Sequence, residues 1–369
     1  MPKATETLLE IDLTALGDNY RYLTSKIAPK TKMLAVVKAY GYGSDSVAVA
    51  KELVALGIDY FAVAYAWEGE VLRDGAIETP ILVLHPLPAN FDLIVRRCME
   101  PSIYSRKMLT DFIAFAEKQQ QKEYPIHLKF NTGLNRLGFG KEDLEFIVEK
   151  LSETASVKVR SMFSHLAATE DKEQRTFTLR QIEAFRNHSE AVIQGIGYRP
   201  LLHTLNTSGI LNYPEAQFDM VRSGIGLYGF GNDPKERTHL TPVATLKTVI
   251  SQIHELPEGA NVGYNMGHTT SKAGRTATLP IGHADGISRA YGKGKGWVNI
   301  HGKKAPIVGN VCMDMIMVDV TNIECKEGDE VIVFGNNPTA EELAAAIGSI
   351  PYELLTAISQ RIKRVVYRK

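Results

Sequence analysis

Short apolar runs rich in β-branched residues recur through the first two-thirds of the chain. Examples are Met33–Lys38, Tyr60–Ala64, Pro80–Leu84, Ile126–Phe130 and Arg160–Ser164. Their apolar positions are continuous rather than alternating, as in strands buried on both faces. Between them the apolar spacing turns helical, in Ser46–Leu56, Leu109–Glu117, Leu144–Leu151 and from about Asp171 to Gln194. The first of these opens on a serine suited to a cap and stops at Gly57. Strand alternating with helix predicts a parallel sheet, and roughly eight such units fit before residue 240. That repetition favours a closed (β/α)8 barrel over an open doubly wound sheet, and no GxGxxG follows the early strands.

The pattern changes after Leu240. Val243–Ile253 reads as one long, partly alternating strand. Further strand-like runs follow at Ala277–Ile281, Gly296–Ile300, Ala305–Val308, Met313–Val320 and Glu330–Phe334, separated by glycines and turn residues. Two short helices are expected near the end, from about Thr339 and Tyr352. The predicted fold class is thus α/β: an N-terminal (β/α)8 TIM barrel over residues 1–240, then a C-terminal all-β domain over 241–369. The strand-like opening, residues 1–13, is left open between packing with the barrel and packing with the β domain.

Composition narrows the function classes. Basic and acidic residues balance at 42 each, so nothing suggests a nucleic-acid footprint or an electrostatic hold on a membrane. No apolar run is long enough to span a bilayer. The start, MPKATETLLEIDL, has no apolar signal-peptide core, and Cys98, Cys312 and Cys325 form no CxxC pair. A cytoplasmic protein with free thiols is expected.

Catalytic side chains of a (β/α)8 barrel sit at the C-terminal ends of its strands. Lys38 ends an apolar run there, and a desolvated lysine is a nucleophile for a carbonyl cofactor. Its segment, Ala35-Val-Val-Lys-Ala-Tyr-Gly-Tyr-Gly43, resembles the cofactor-lysine segment of alanine racemases. Tyr40 stands where that family usually has asparagine, and Ser44-Asp45 where it has histidine-glycine. Further segments match in order. They are Lys129–Phe139 (KFNTGLNRLGF), Ser164-His165, His203–Ser208 (HTLNTS), Arg222–Gly229 (RSGIGLYG), Ile281–Gly286 (IGHADG), Gly309–Asp314 (GNVCMD) and Pro351–Glu353 (PYE).

The resemblance implies pyridoxal 5'-phosphate as cofactor, alanine as substrate, and isomerisation for peptidoglycan synthesis. It implies Lys38, Tyr42, His165, Asn206, Thr207, Arg222, Gly224, Ile225 and Tyr352 as cofactor-binding residues, with His165 and His203 backing Arg222 by hydrogen bonding. A phosphate wants backbone N–H groups, small residues and hydroxyls, which Asn206–Gly209 and Gly224-Ile225 can supply. Thr207 stands where serine is common, and Thr207–Gly209 also reads as a plain helix cap. Arg222 resembles the partner of the cofactor's ring nitrogen. Guanidinium keeps its protons and makes the ring a weaker electron sink. Arg136 resembles the residue that holds the substrate carboxylate, and Met313 and Asp314 resemble the group that shapes that site from a second subunit. A head-to-tail homodimer follows. Lys129 resembles a lysine carbamylated in several members, the alternative being an ordinary lysine with a carboxylate partner. No metal ligands are expected.

One departure bears on mechanism. We read the family's Gly-Tyr-Ala-Asp-Gly tyrosine as the second catalytic base, and here that position is His283. Racemisation needs proton transfer on both faces of Cα, so Lys38 is expected to serve D-alanine and His283 L-alanine. A histidine, with a reference pKa near ~6.5, is mostly neutral where a tyrosine near ~10 is protonated. Tyr264 or a water is the competing source of the proton. Other amino acids, decarboxylation, a metal-dependent aldolase or a non-catalytic cofactor carrier remain alternatives. Against these stand the lack of any cysteine after Cys325, the weakness of His283 and Asp285 as a metal pair, and the long β domain.

Overall fold

A computed structural model describes residues 3–231 and 238–369. The chain divides into two compact units. One comprises Gly17–Gly41 and Ser46–Thr241, the other the segment ending at Leu16, Tyr42–Asp45 and Pro242–Lys369. The first strand, β1 (Leu8–Asp12), belongs to the second unit.

The first unit is built on eight parallel strands: β2 (Lys32–Val36), β3 (Tyr60–Val63), β4 (Ile81–Val83), β5 (Glu100–Ile103), β6 (Tyr124–Lys129), β7 (Val157–Phe163), β8 (Leu201–His203) and β9 (Met220–Ser223). They follow the order β8-β7-β6-β5-β4-β3-β2-β9 and make the expected (β/α)8 barrel. Strands β3 and β4 are buried at every position, which is why their apolar runs do not alternate, and β5 and β9 are buried throughout as well. Leu34, Tyr60, Ala62, Leu82, Phe163 and Met220 pack into one cluster. The burial of β5 to β9 is not all apolar, however. Ser102, His127, Ser161, His203 and Ser223 are fully buried, and Arg222 nearly so.

The connecting helices form where apolar spacing and caps coincide. Arg106–Lys118 starts at Ser105, whose hydroxyl accepts the Met108 N–H at 3.2 Å, and buries Met108, Leu109, Phe112 and Ile113. Ser46–Ala55 stops just short of Gly57, whose φ of 88° is left-handed.

The second unit holds β10 (Ala244–Val249), β11 (Gln252–Leu256), β12 (Asn261–Val262), β13 (His268–Thr269), β14 (Gly274–Leu279), β15 (Trp297–Ile300), β16 (Lys303–Val308), β17 (Ile316–Asp319), β18 (Glu330–Phe334) and β19 (Lys363–Tyr367). Its main sheet runs β11-β14-β17-β16-β15-β18-β10-β1-β19. Two features differ from the sequence reading. The run Val243–Ile253 is two strands, because Ile250 N–H turns to Asp329 while Ser251 N–H turns to Thr278. The segment Lys363–Tyr367, which opens on two charged residues, is an edge strand pairing in parallel with β1. Its lysine and arginine fit an edge better than a core. Helices Ala340–Ala346 and Pro351–Ala357 complete the unit, the first with a reciprocal Thr339/Glu342 capping box. No helix among the described residues is long and apolar enough to cross a membrane.

Candidate active site

Lys38 follows β2 after a single residue and opens a left-handed turn. Ala39 (φ 52°), Tyr40 (φ 56°) and Gly41 (φ 65°) are left-handed, which costs Ala39 and Tyr40 about 1–2 kcal/mol each and the glycine little. What holds the turn is a residue not singled out in the sequence. Buried Glu68 accepts the Ala39 N–H at 2.7 Å through one oxygen and those of Ala64 and Tyr65 at 2.7 and 3.1 Å through the other. The loops after β2 and β3 are thereby tied together. Burial lowers the pKa of Lys38, the Arg136 cation lowers it further, and Glu68 offsets part of the shift.

Lys129 is the last residue of β6. Burial, then Arg136, Arg222 and Lys38, push its pKa down to about 8. Burial and neighbouring cations alone account for the shift, and no carboxylate among the described residues contributes to it. Arg136 lies in the loop that follows, which Phe139 closes by bonding back to Lys129 and Asn131. His165 follows β7. Burial and the Arg222 cation push it down to about 3, so its imidazole is neutral.

Arg222, on β9, is buried against neutral acceptors. Its Nη1 donates to His203 Nδ1 at 2.7 Å, and its Nη2 to the carbonyls of Ser164 (2.7 Å) and Thr204 (2.9 Å). His165 Nδ1 also lies within reach of Nη2, at 3.5 Å, a longer contact than that to His203. Burial draws Arg222 down to about 9, and it remains charged at neutral pH. Beside it, Asn206 caps the short helix Thr207–Asn212 through its side-chain oxygen, which accepts the Gly209 N–H at 2.9 Å. The cap reading therefore belongs to Asn206. The Thr207 hydroxyl instead meets Ser223 Oγ at 3.1 Å and the Gly226 N–H at 3.3 Å. Gly224 and Ile225 are buried, and their backbone N–H groups find no acceptor among the described residues.

The remaining predicted residues lie in the second unit. Tyr42 and Tyr352 come together there, ring centroids 6.0 Å apart, and burial raises the Tyr42 phenol. His283 opens a turn, His283–Asp285, laced to the 312–315 loop. Its N–H bonds Cys312 at 2.9 Å, and the Ala284 N–H bonds Met313 at 3.0 Å. The His283 side chain lines a pocket of about 280 Å³ with Tyr291 and Glu353. Met313 and Asp314 line a different, larger groove, and the phenol in that groove is Tyr264. Arg361, also not anticipated, bridges buried Asp285 and Asp314 at 2.6 Å each. Glu68 and Arg361 were hard to find because each acts across sequence gaps. The only local signal was Glu68 at the third position of a helix start.

Two family models match the chain, "Alanine racemase, N-terminal domain" over residues 11–232 and "Alanine racemase, C-terminal domain" over 243–366. A protein of Clostridium perfringens named alanine racemase is 37% identical, aligning 98% of this chain with 95% of its own. The solved alanine racemase of Clostridium difficile 630 superposes with a TM-score of 0.93 at 32% identity, covering 100% of this chain and 97% of that one. The alanine racemase of Bartonella henselae, described as having covalently bound pyridoxal phosphate, superposes with a TM-score of 0.90 at 30% identity, covering 99% and 100%.

Proposed function

The chain belongs to the alanine racemase family, and from that premise we propose how its residues divide the work of interconverting L-alanine and D-alanine. It is an isomerase that uses pyridoxal 5'-phosphate. When bound, the cofactor supplies a ring that draws off the negative charge left at Cα as its proton leaves. The observation that carries the reading is the convergence of Lys38, Lys129, Arg136 and Arg222 at the C-terminal ends of barrel strands, where Arg136 lowers the proton affinity of Lys38, and Arg136, Arg222 and Lys38 lower that of Lys129. Such a cluster calls for anions, and both the cofactor phosphate and the substrate carboxylate are anions. The residues present fit the cofactor. The unpaired Gly224 and Ile225 N–H groups and the Thr207 hydroxyl can take a phosphate, Arg222 can face the ring nitrogen, and Lys38 can hold the cofactor through Nζ. Arg136 takes the substrate carboxylate.

Lys38 removes or returns the proton on the face used by D-alanine. For the opposite face, the separate pocket of His283 supports Tyr264 as the base. Tyr264 shares a groove with Met313 and Asp314, whereas His283 lines a separate pocket that also includes Tyr291 and Glu353. The second reading keeps His283 as that base, supported by its backbone bonds to the 312–313 loop. Heavy-water exchange separates the two. With Tyr264→Phe, racemisation from L-alanine is expected to fall on the order of 10²-fold or more while D-alanine still exchanges its Cα proton. His283→Ala should leave L-alanine turnover within about tenfold. The reverse ranking assigns the base to His283. Failure of the native protein to exchange either enantiomer overturns the function itself.

We also propose that Lys129 is carbamylated. A buried amine without an acidic partner can add carbon dioxide and release a proton, and the resulting anion can orient Arg136. A carbamate carbon signal from protein equilibrated with ¹³C-labelled carbon dioxide is the check. Assembly as a head-to-tail homodimer is supported by apolar side chains open to water on the second unit, namely Tyr264, Met266, Met313 and Met315. We assign the D-alanine product to peptidoglycan synthesis, as the family resemblance implies.

A further inference from the structure

A line of buried polar side chains crosses the barrel interior from the first residue of β5 to Arg222. Glu100 Oε2 lies 2.6 Å from His127 Nε2, and His127 Nδ1 lies 2.5 Å from Ser161 Oγ. Ser161 Oγ lies 2.8 Å from His203 Nε2, and His203 Nδ1 lies 2.7 Å from Arg222 Nη1. His127, Ser161 and His203 are wholly excluded from solvent. Nothing in the reaction assigned above requires Glu100, His127 or Ser161, and burying them needs a reason.

The donor direction can be worked out from the two ends. A guanidinium has N–H groups and no acceptor, so Nδ1 of His203 must present a lone pair to Arg222. Neutral His203 then carries its proton on Nε2 and donates it to Ser161. The Ser161 hydroxyl, which accepts there, keeps its own proton to donate onward to His127 Nδ1. His127 consequently holds its proton on Nε2 and donates to Glu100. Beyond Glu100, the Tyr60 phenol oxygen accepts Arg160 Nε at 2.9 Å. A carboxylate at that end suits this direction, because its oxygens serve as acceptors for the His127 N–H. Every link is satisfied in this one sense, and the two histidine tautomers follow from the charges at the ends.

We propose that Glu100, His127 and Ser161 are positioning residues that lock the His203 tautomer, and through it hold Arg222 in place for the cofactor. The consequence for the cofactor rests on the assignment of Arg222 given above. The tautomers rest on the geometry alone. If His203 carried its proton on Nδ1, that N–H would oppose the Arg222 N–H, and the guanidinium would lose its ring acceptor. Replacing the acceptor-only carboxylate by an amide removes the lock, because an amide can donate as well as accept.

The test uses cofactor-loaded protein labelled with ¹⁵N in its histidines. Both His127 and His203 are expected to show a protonated Nε2 and a bare Nδ1. A protonated Nδ1 on either residue overturns the proposal without recourse to any variant. In Glu100→Gln, His203 is expected to become a mixture of tautomers and the cofactor dissociation constant to rise about tenfold. Ser161→Ala, which cuts the line at its middle, should show the same loss of affinity. Glu100→Asp, still acceptor-only, should recover part of it. If Glu100→Gln leaves the tautomer and the affinity unchanged while Arg222→Ala abolishes binding, the relay falls and the reading of Arg222 stands. If Arg222→Ala also leaves affinity unchanged, that reading falls, and with it the relay's effect on the cofactor.

Discussion

The carboxylate of Glu68 accepts the backbone N–H of Ala39 at 2.7 Å, next in the chain to Lys38. The same carboxylate bonds Ala64 and Tyr65, so a single anion sets the reach of Lys38 against the following strand. Glu68→Gln faces an amide NH₂ toward those donors. Unfolding free energy is expected to drop by about 2 kcal/mol. Loss of the anion should lower the Lys38 pKa further, since Glu68 now raises it. The pH profile of Lys38 acylation in cofactor-free protein reads this directly. An unchanged or raised midpoint would count against the role.

Lys129 gives a prediction with a definite sign. Its pKa is about 8 in the folded chain against 10.5 for a free lysine. Below about 8 both states hold the proton, and the folded state carries the full penalty of burying the cation. Between those values the unfolded chain binds more protons than the folded one, so stability rises with pH. The full rise is about 3 kcal/mol. Urea midpoints of cofactor-free, carbon-dioxide-free protein should climb from pH 7.5 to 9.5 relative to Lys129→Met. Parallel curves for the two proteins would show that no such penalty exists.

Gly282 has no room for a side chain. A Cβ there would collide with the carbonyl oxygens of Cys312 and Met313, the acceptors that bind His283 and Ala284. Gly282→Ala is expected to cost about 1–3 kcal/mol and to depress racemisation by parting the two loops. Thermal melting and steady-state kinetics check both effects. A variant with native stability and rate would mean the loops are free to separate.

Met315 is about half exposed, in the same groove as Tyr264 and Met313. If a second copy covers that face, Met315→Glu buries an unpaired charge on assembly. Sedimentation should then show a concentration-dependent shift toward monomer, with racemase activity following the dimer fraction. A Met315→Glu protein that stays dimeric at low concentration would place the interface elsewhere.

Much of this was legible before any coordinates. Strands buried on both faces write their own continuous apolar runs, and helices between them write a 3.6-residue period. Lys38, Arg222 and Lys129 could be placed at or beside strand ends because strand ends and motif order are local properties of the chain. The reading faltered where the environment is not local. Val243–Ile253 looked like one strand until Ile250 and Ser251 took hydrogen bonds from different neighbours. β19 was invisible because an edge strand can be as polar as a loop.

By itself, then, the sequence determined the alternation of strand and helix, the change to all-β structure after the barrel, and the family's ordered chemical segments. Only the tertiary structure decided which side chains converge. Glu68 reaches Ala39 across 29 positions, and Glu100 reaches His127 across 27. Parallel register also brings His127 beside Ser161, and Ser161 within reach of His203. Hydrogen bonds form between atoms near in space, and in a barrel that nearness is set by strand order and register rather than by distance along the chain.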